Sequence, residues 1–348
     1  MTMRGPAVRG AVLALTAAVL FGISTPLVQR FGSGVGAFAT AALLYAGAAL
    51  AGALLRRRPE REARLLPGDI PRLLGMAATG AVVGPVALAW GLQRTSATSS
   101  SLMLTLEAVF TAVLAWWMYH EAMERRVRLA MLLLVGGGVL LVLDQGQDGN
   151  LRVWGLLAVL LATAAWGLDN TLSRALAERD PGQVILAKAV LGSAATSVLA
   201  VCFGESLPAS GAALGLFAVG ATGYGLSLRF YLLAQRSFGA GRTGSVFAFA
   251  PFVGAVLAMI LGERPNGWLL AAGGMLMLAG MALHLHESHE HAHGHEAMGH
   301  EHAHRHDDGH HGHAHDSAPT GSHSHQHDHE PLTHAHPHVP DAHHPHRH

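Results

Sequence analysis

Glu107 lies eleven residues into the apolar stretch 97–119, near its middle, among Leu, Thr, Ala and Val. An ionisable group at the centre of a bilayer is costly and rare, so a functional role is the default reading. A carboxyl there suits proton binding or contact with a cationic group of a substrate. The structural alternative is a hydrogen-bonded carboxyl, with Thr105 and Thr111 as nearby hydroxyls. Asp169 and Asn170 lie near the C-terminal end of stretch 153–173, and Arg229 lies at a similar depth in stretch 211–234. A desolvated Asp169–Arg229 pair could act as a gate that breaks during a conformational switch. The alternative is that both side chains, like Lys188, snorkel toward water. Trp90, Trp166 and Tyr224 stand inside apolar stretches and, with Gln93, Ser24 and Thr25, could line an amphiphilic pocket; packing is their structural alternative.

A second chemistry sits at the C-terminal end. From His284 onward the chain carries every histidine but His120, in patterns such as "HEHAHGHEAMGHEHAHRHDDGHHGHAHD". Residues two apart in an extended chain point the same way, so each H-x-H pair can offer two nitrogens to one ion. Imidazole suits zinc, nickel, cobalt and copper, and zinc takes about four ligands. The candidate ligands are His289, His291, His293, His295, His300, His302, His304, His306, His310, His311, His313, His315, His323, His325, His327 and His329. Such a polar segment buries too little apolar surface to fold alone, so the expected state is disordered with weak, exchangeable metal sites. The alternative is a solvated tail that titrates near the unperturbed histidine pKa of about 6.5, with incidental metal affinity.

The elements that must position these residues are membrane helices. Half of the sequence is hydrophobic and only 13% is charged, against about 25% charged in soluble domains. The zero formal net charge is a cancellation between a basic body and an acidic tail. The single cysteine, Cys202, excludes intrachain disulfides and reads as packing. A spanning helix needs about 20 apolar residues. Ten stretches qualify: 10–29, 35–55, 72–93, 97–119, 127–144, 153–173, 183–203, 211–234, 243–262 and 267–285. The basic start and apolar middle of the N-terminus resemble a signal peptide, but no small-x-small site follows, so it reads as the first span.

Orientation follows from arginines. If the N-terminus is cytoplasmic, the loops on that side carry Arg56, Arg57, Arg58, Arg61, Arg64, Arg72, Arg125, Arg126, Arg128, Arg174, Arg179, Arg236 and Arg242. The opposite loops offer only Arg30, Arg94, Arg152 and Arg264. The positive-inside rule then places both termini, and the tail, in the cytoplasm of a cell whose inner membrane the chain spans many times. Trp116, Trp117, Trp154 and Trp268 read as interfacial anchors, and Gly136–Gly138 as close helix packing.

The two halves repeat. "AAVLFGISTPL" matches "ATAAWGLDNTL" at a shift of 145 residues, and "QRTSATSS" matches "QRSFGAGR" at a shift of 142. "EAVFTAVLAWWMYHE" matches "APFVGAVLAMILGE" with one gap, and Gly138 then matches Gly280. Five spans per half is an odd number, so the second half enters the membrane upside down. Inverted repeats permit two equivalent states with a site near the midplane, which is a transporter's architecture.

The stretches "GLQRTSATSSSLMLTLEAVFTAVLAWWMYHE" and "AQRSFGAGRTGSVFAFAPFVGAVLAMILGERP" resemble the two halves of an EamA-type permease of the drug/metabolite transporter superfamily. The resemblance covers nearly all of residues 10–283. The family's Gly-Glu-Arg helix end matches Gly262, Glu263 and Arg264, with His120 and Glu121 in the first copy. Its aromatic-Gly pair matches Phe21-Gly22 and Trp166-Gly167. Its mid-helix proline matches Pro251, where the first half has Ala108. Its basic residue in the second helix of each repeat matches Lys188, with none around Ala41. The resemblance implies a carrier of small metabolites, often an exporter of amino acids, nucleosides or drugs.

The expected architecture is therefore an all-α polytopic membrane protein. It has ten transmembrane helices in two inverted five-helix repeats, 1–145 and 146–285, and a disordered cytoplasmic tail, 286–348. The expected function is export of small metabolites or drugs by alternating access, with a metal-binding accessory tail. Two alternatives remain: a divalent transition-metal exporter (Zn, Ni, Co or Cu), and a membrane-anchored metal buffer or sensor. With no paired carboxylates and no nucleophile–base set, the sequence does not read as an enzyme. No cofactor is required beyond metal ions on the tail. The expected partners are the lipid bilayer and a small-molecule substrate, with no nucleic acid and the oligomeric state left open.

Overall fold

The computed structural model describes residues 4–55, 64–119, 123, 125–146, 149–173, 176, 179–238, 240–264 and 267–285. In the tail it describes the backbone segments 289–295, 298–304, 323–329 and 332–338. His306, His310, His311, His313 and His315 lie outside the described residues, as do Arg56, Arg57, Arg58, Arg61, His120, Glu121 and Arg174.

The body is helical. In chain order its α-helices are α1 (Arg4–Gly32), α2 (Ala37–Leu54), α3 (Ile70–Met76), α4 (Gly84–Leu92), α5 (Ala97–Met103), α6 (Glu107–Tyr119) and α7 (Arg125–Gly146). They continue as α8 (Asn150–Ser173), α9 (Pro181–Cys202), α10 (Ser210–Val219), α11 (Ser227–Phe238), α12 (Ala240–Phe247), α13 (Ala250–Ile260) and α14 (Trp268–Leu285). Several join end to end into one rod. Among the described residues eight rods are long and apolar enough to cross a membrane: 8–32, 37–54, 67–92, 97–118, 125–146, 150–173, 181–202 and 210–234. Two shorter apolar helices, Ala250–Ile260 and Trp268–Leu283, follow.

Where the rods depart from α geometry, they do so in pairs. A π-helical segment, Ala77–Val83, joins α3 to α4, and another, Gly220–Leu226, joins α10 to α11. Both carry Ala-Thr-Gly, and in both the threonine hydroxyl donates back one turn, Thr79 to Gly75 O and Thr222 to Ala218 O, at 2.9 Å each. The α5–α6 rod is interrupted by a 3-10 turn at Leu104–Leu106, and α12 and α13 are separated by a turn at 248–249. Pro251 follows the second break, whereas Ala108 follows the first. Proline disrupts a helix by removing a donor and clashing with the preceding turn. The break at 104–106 forms without one.

Small residues bring the rods together. A Cβ on Gly137 of α7 would sit 2.7 Å from Gly273 O and 2.6 Å from Met277 Cγ of α14. Gly91 of α4 and Gly155 of α8 approach each other's carbonyl oxygens in the same way, and Gly220 lies against the Leu44 carbonyl. Without a hydrophobic driving force between helices in lipid, such close approach supplies the packing energy. Within the expected Gly136–Gly138 contact, Gly137 and Gly138 meet neighbours closely, while a Cβ on Gly136 would come no nearer than 3.9 Å to Leu276 among the described residues. Cys202, expected to pack, is exposed at the end of α9.

The tail differs from the expectation of disorder at four segments. Strand β1 (His289–His295) pairs antiparallel with β4 (Leu332–His338), and β2 (Met298–His304) with β3 (His323–His329). The physical reason is the alternation itself: a period of two matches the pleat of an extended strand.

Candidate functional site

Two acids from adjacent elements meet near the first rod break. Glu107 opens α6 directly after the 3-10 turn, and Asn170 Nδ2 of α8 donates to Glu107 Oε1 at 2.5 Å. One residue earlier on α8, Asp169 is buried and forms an ion pair with Lys188 of α9 through Oδ2. Among the described residues no donor reaches Asp169 Oδ1. The partner expected for Asp169 was Arg229, but the cation is Lys188, because α9 rather than α11 presents its side chain to this part of α8. Lys188 therefore does not snorkel; it is 7% exposed. Arg229 is partly buried in α11 and makes an interaction of its own. Glu107 takes its hydrogen bond from Asn170 rather than a threonine, and Thr105 Oγ1 instead donates to Leu102 O at 2.8 Å.

The π-segment of α3–α4 makes room for the pair. Gly80 lies against Asp169 so closely that a Cβ there would stand 2.3 Å from the carboxyl carbon. The Gly80 carbonyl accepts from Trp166 Nε1 at 3.0 Å and also from the Tyr45 hydroxyl. A π-turn leaves backbone carbonyls out of the regular ladder and recurs at functional sites. Here that carbonyl fixes two aromatic donors beside the acid. Gly80→Ala is accordingly expected to displace Asp169 and weaken transport more than stability. Comparing initial transport rates with thermal midpoints for the purified variant would check this, and equal losses in both would reject the positioning role.

Aromatic rings close the space around these groups. Ring centroids are 6.1 Å apart for Phe21–Trp166, 5.9 Å for Phe21–Tyr224, 5.7 Å for Tyr45–Tyr224 and 6.4 Å for Trp166–Tyr224. Phe247, just before the second rod break, packs on Phe21 at 5.4 Å. Ser24 and Thr25 are buried in α1; Ser24 Oγ donates to Phe21 O at 2.6 Å and faces Gly223 in the second π-segment. The expected pocket residues thus separate into two groups. Trp166, Tyr224 and Ser24 belong to this region, with Thr25 buried next along α1. Trp90 and Gln93 do not: Trp90 is 37% exposed beneath the Arg94 guanidinium, and Gln93 donates to Val35 O at 2.7 Å in a loop. Both sit at the end of α4, away from buried Asp169 and half-buried Glu107. Sequence reading missed Tyr45 and Gly80, named Phe21 only within the aromatic-Gly pair, and gave Lys188 the wrong surroundings. The lysine was the only one in the chain, and that was the available signal.

No trio of histidine, cysteine or acidic side chains suited to a metal occurs among the described residues. The body is thus a polytopic helical membrane protein with a desolvated charged centre, the form of a transporter of small substrates. The model of the EamA-like transporter family matches residues 8–143 and again 153–285, so the chain belongs to that family. It is 27% identical over 299 residues to an uncharacterized transporter of Methanothermobacter thermautotrophicus, covering 78% of this chain and 84% of that protein. A protein of known crystal structure superposes with a TM-score of 0.58 at 17% identity. The match covers 79% of this chain and 94% of the other, and concerns the fold alone.

Proposed function

We propose that the protein exports small metabolites or drugs by alternating access. The substrate engages the Asp169–Lys188 pair and Glu107 between two inverted five-helix repeats, 1–145 and 146–285. The observation that carries this is a buried ion pair placed where helical rods are interrupted. A desolvated pair is costly to open unless another group takes the place of one partner. A polar group of a substrate would do so, and Glu107 beside it would take a proton or a cationic group.

Several features support the inverted repeat. The family matches twice, and the π-segments and rod breaks recur in both copies. In the repeat alignment Asp169 and Asn170 correspond to Ser24 and Thr25, and Glu107 to Ala250. Charge is thereby confined to one half-site. Ten crossings fit the hydrogen bonds between loops. Gln93 joins the loop after α4 to that after α1, and Glu205, after α9, donates no proton but accepts from Phe38 and Ala39 at the start of α2. On the opposite face, Arg179 pairs with Asp69 at 2.8 Å and Leu65 N donates to Gln183 Oε1 at 3.2 Å. The arginine bias makes that second face cytoplasmic in the inner membrane, with both termini and the tail.

The tail is proposed as an accessory that binds zinc, nickel, cobalt or copper. In vesicles of oriented protein, a metabolite panel with and without each metal tests the whole reading. Deletion from His289 onward is expected to leave metabolite flux intact and to change only its response to metal. Metal flux through the full-length protein, without flux of any metabolite, would instead identify a metal exporter. Metal binding with no flux of either kind would identify a buffer or sensor.

A further inference from the structure

Two places in the fold use the same small device. At the end of α9, Gly204 has φ of +67°, and Glu205 N donates to Ala200 O at 2.9 Å. At the end of α13, Gly262 has φ of +108°, and Glu263 N donates to Ala258 O at 3.1 Å. Each is a glycine-terminated helix end whose amide bonds back across the last turn. In each, the next side chain is a glutamate that crosses to the N-terminus of a first-half helix. Glu205 accepts from Phe38 N at 3.2 Å and Ala39 N at 2.7 Å of α2. Glu263 accepts from Ala97 N at 2.7 Å, Thr98 N at 2.8 Å and Thr98 Oγ1 at 2.6 Å of α5. A carboxylate suits such a place because the first amides of a helix have no intrahelical acceptor and carry the positive end of its dipole.

The two glutamates differ in what they join. α2 and α9 pack against each other well away from Glu205: a Cβ on Gly52 would sit 3.4 Å from Leu186 Cα, and Ser193 Oγ donates to Ala42 O at 3.0 Å. The rods carrying α5 and α13 are each interrupted, at Leu104–Leu106 and at 248–249, beside Glu107 and Phe247. Their segments beyond the breaks, Ala97–Met103 and Ala250–Ile260, run from the charged centre to the Glu263 contact. They touch midway, where a Cβ on Gly254 would sit 2.7 Å from Ser101 Oγ. A rod interrupted at its middle can swing one end while the other stays packed.

We propose that Glu263 is the latch of a gate on the face where α1 ends. Its carboxylate holds the α5 and α13 ends together over the charged centre, and the bond is released when the carrier opens to that face. Glu205 is the fixed counterpart, fastening two helices that move as one. The neighbouring hydrogen bonds fit a closed seat: Thr95 Oγ1 donates to Gln145 Oε1 at 2.9 Å, and Gln29 Nε2 donates to Thr95 O at 2.9 Å.

The inference rests on the alternating-access reading, and one experiment separates the two. A Cys202→Ala background carries Ser101→Cys as reporter, since Ser101 is wholly buried between the two gate segments. An impermeant maleimide is applied from each face of oriented vesicles, and the ratio of the two labelling rates is measured. Glu263→Gln should raise the rate from the α1-end face and lower it from the other. The ratio should shift about tenfold, the effect expected from losing one charge-assisted hydrogen bond. Thr98→Val, which removes only the hydroxyl donor, should shift the ratio the same way by less, and Glu205→Gln should leave it unchanged. An unchanged ratio in both Glu263→Gln and Thr98→Val overturns the latch, as does an equal rise from both faces or an equal shift in Glu205→Gln. Labelling from one face alone in every variant overturns alternating access itself.

Discussion

Lys188→Met should abolish transport and destabilise the protein more than any other single change in the body. The substitution removes the cation paired with Asp169, which is buried beneath Gly80 and whose Oδ1 has no donor among the described residues. Removing one partner of a buried ion pair is destabilising by about 3–5 kcal/mol, whereas replacing both partners is often nearly neutral. The double variant Lys188→Met/Asp169→Asn should therefore recover most of the thermal stability of the native protein. It should not recover flux, because the exchangeable charges are gone. Thermal midpoints and initial rates measured on the same three preparations decide the matter. Recovery of both stability and flux would make the pair a structural element; recovery of neither would mean that Asp169 and Lys188 are not energetically coupled.

Glu107→Gln should have the second-largest effect, and almost entirely on rate. Glutamine has the shape of glutamate and retains an oxygen for Asn170 Nδ2, so the α6–α8 contact persists. What it cannot do is carry a negative charge or exchange a proton. A hydrogen bond to a charged group is worth about 1.5–3 kcal/mol, which corresponds to a fall in rate of about ten- to a hundredfold. Residual flux should also lose its dependence on pH. An undiminished, still pH-dependent flux in Glu107→Gln would dismiss both the proton-binding and the substrate-binding roles.

How far the site could be read from sequence depended on the kind of residue. Glu107 and Asp169 stood out because a charge within an apolar run is conspicuous whatever surrounds it. Asn170 was reached as the polar neighbour of Asp169, and Trp166 as an aromatic ring inside an apolar stretch. Partnership was not legible: Arg229 was matched to Asp169 by depth and Lys188 was set near a span end, but depth alone does not say which helix is the neighbour. Trp90 and Gln93 show the same limit in reverse, since belonging to an apolar stretch does not say which end of it borders the site. Glu205 and Glu263 stand in the same Gly-Glu sequence, yet one fastens packed helices and the other fastens two interrupted ones.

By itself the sequence determined that the body is a bundle of membrane helices in two related halves, followed by a histidine-rich stretch. Those conclusions depend on the length, hydropathy and repetition of segments, which are properties of the chain taken one stretch at a time. Only the tertiary structure decided that Lys188 neutralises Asp169, that a π-turn at Gly80 makes the space for it, and that Glu263 crosses from α13 to α5. Each of these depends on which helices face one another and at what rotation. In lipid that is set by the close fit of small residues such as Gly91 against Gly155, and not by a hydropathy pattern that reads much the same around every helix.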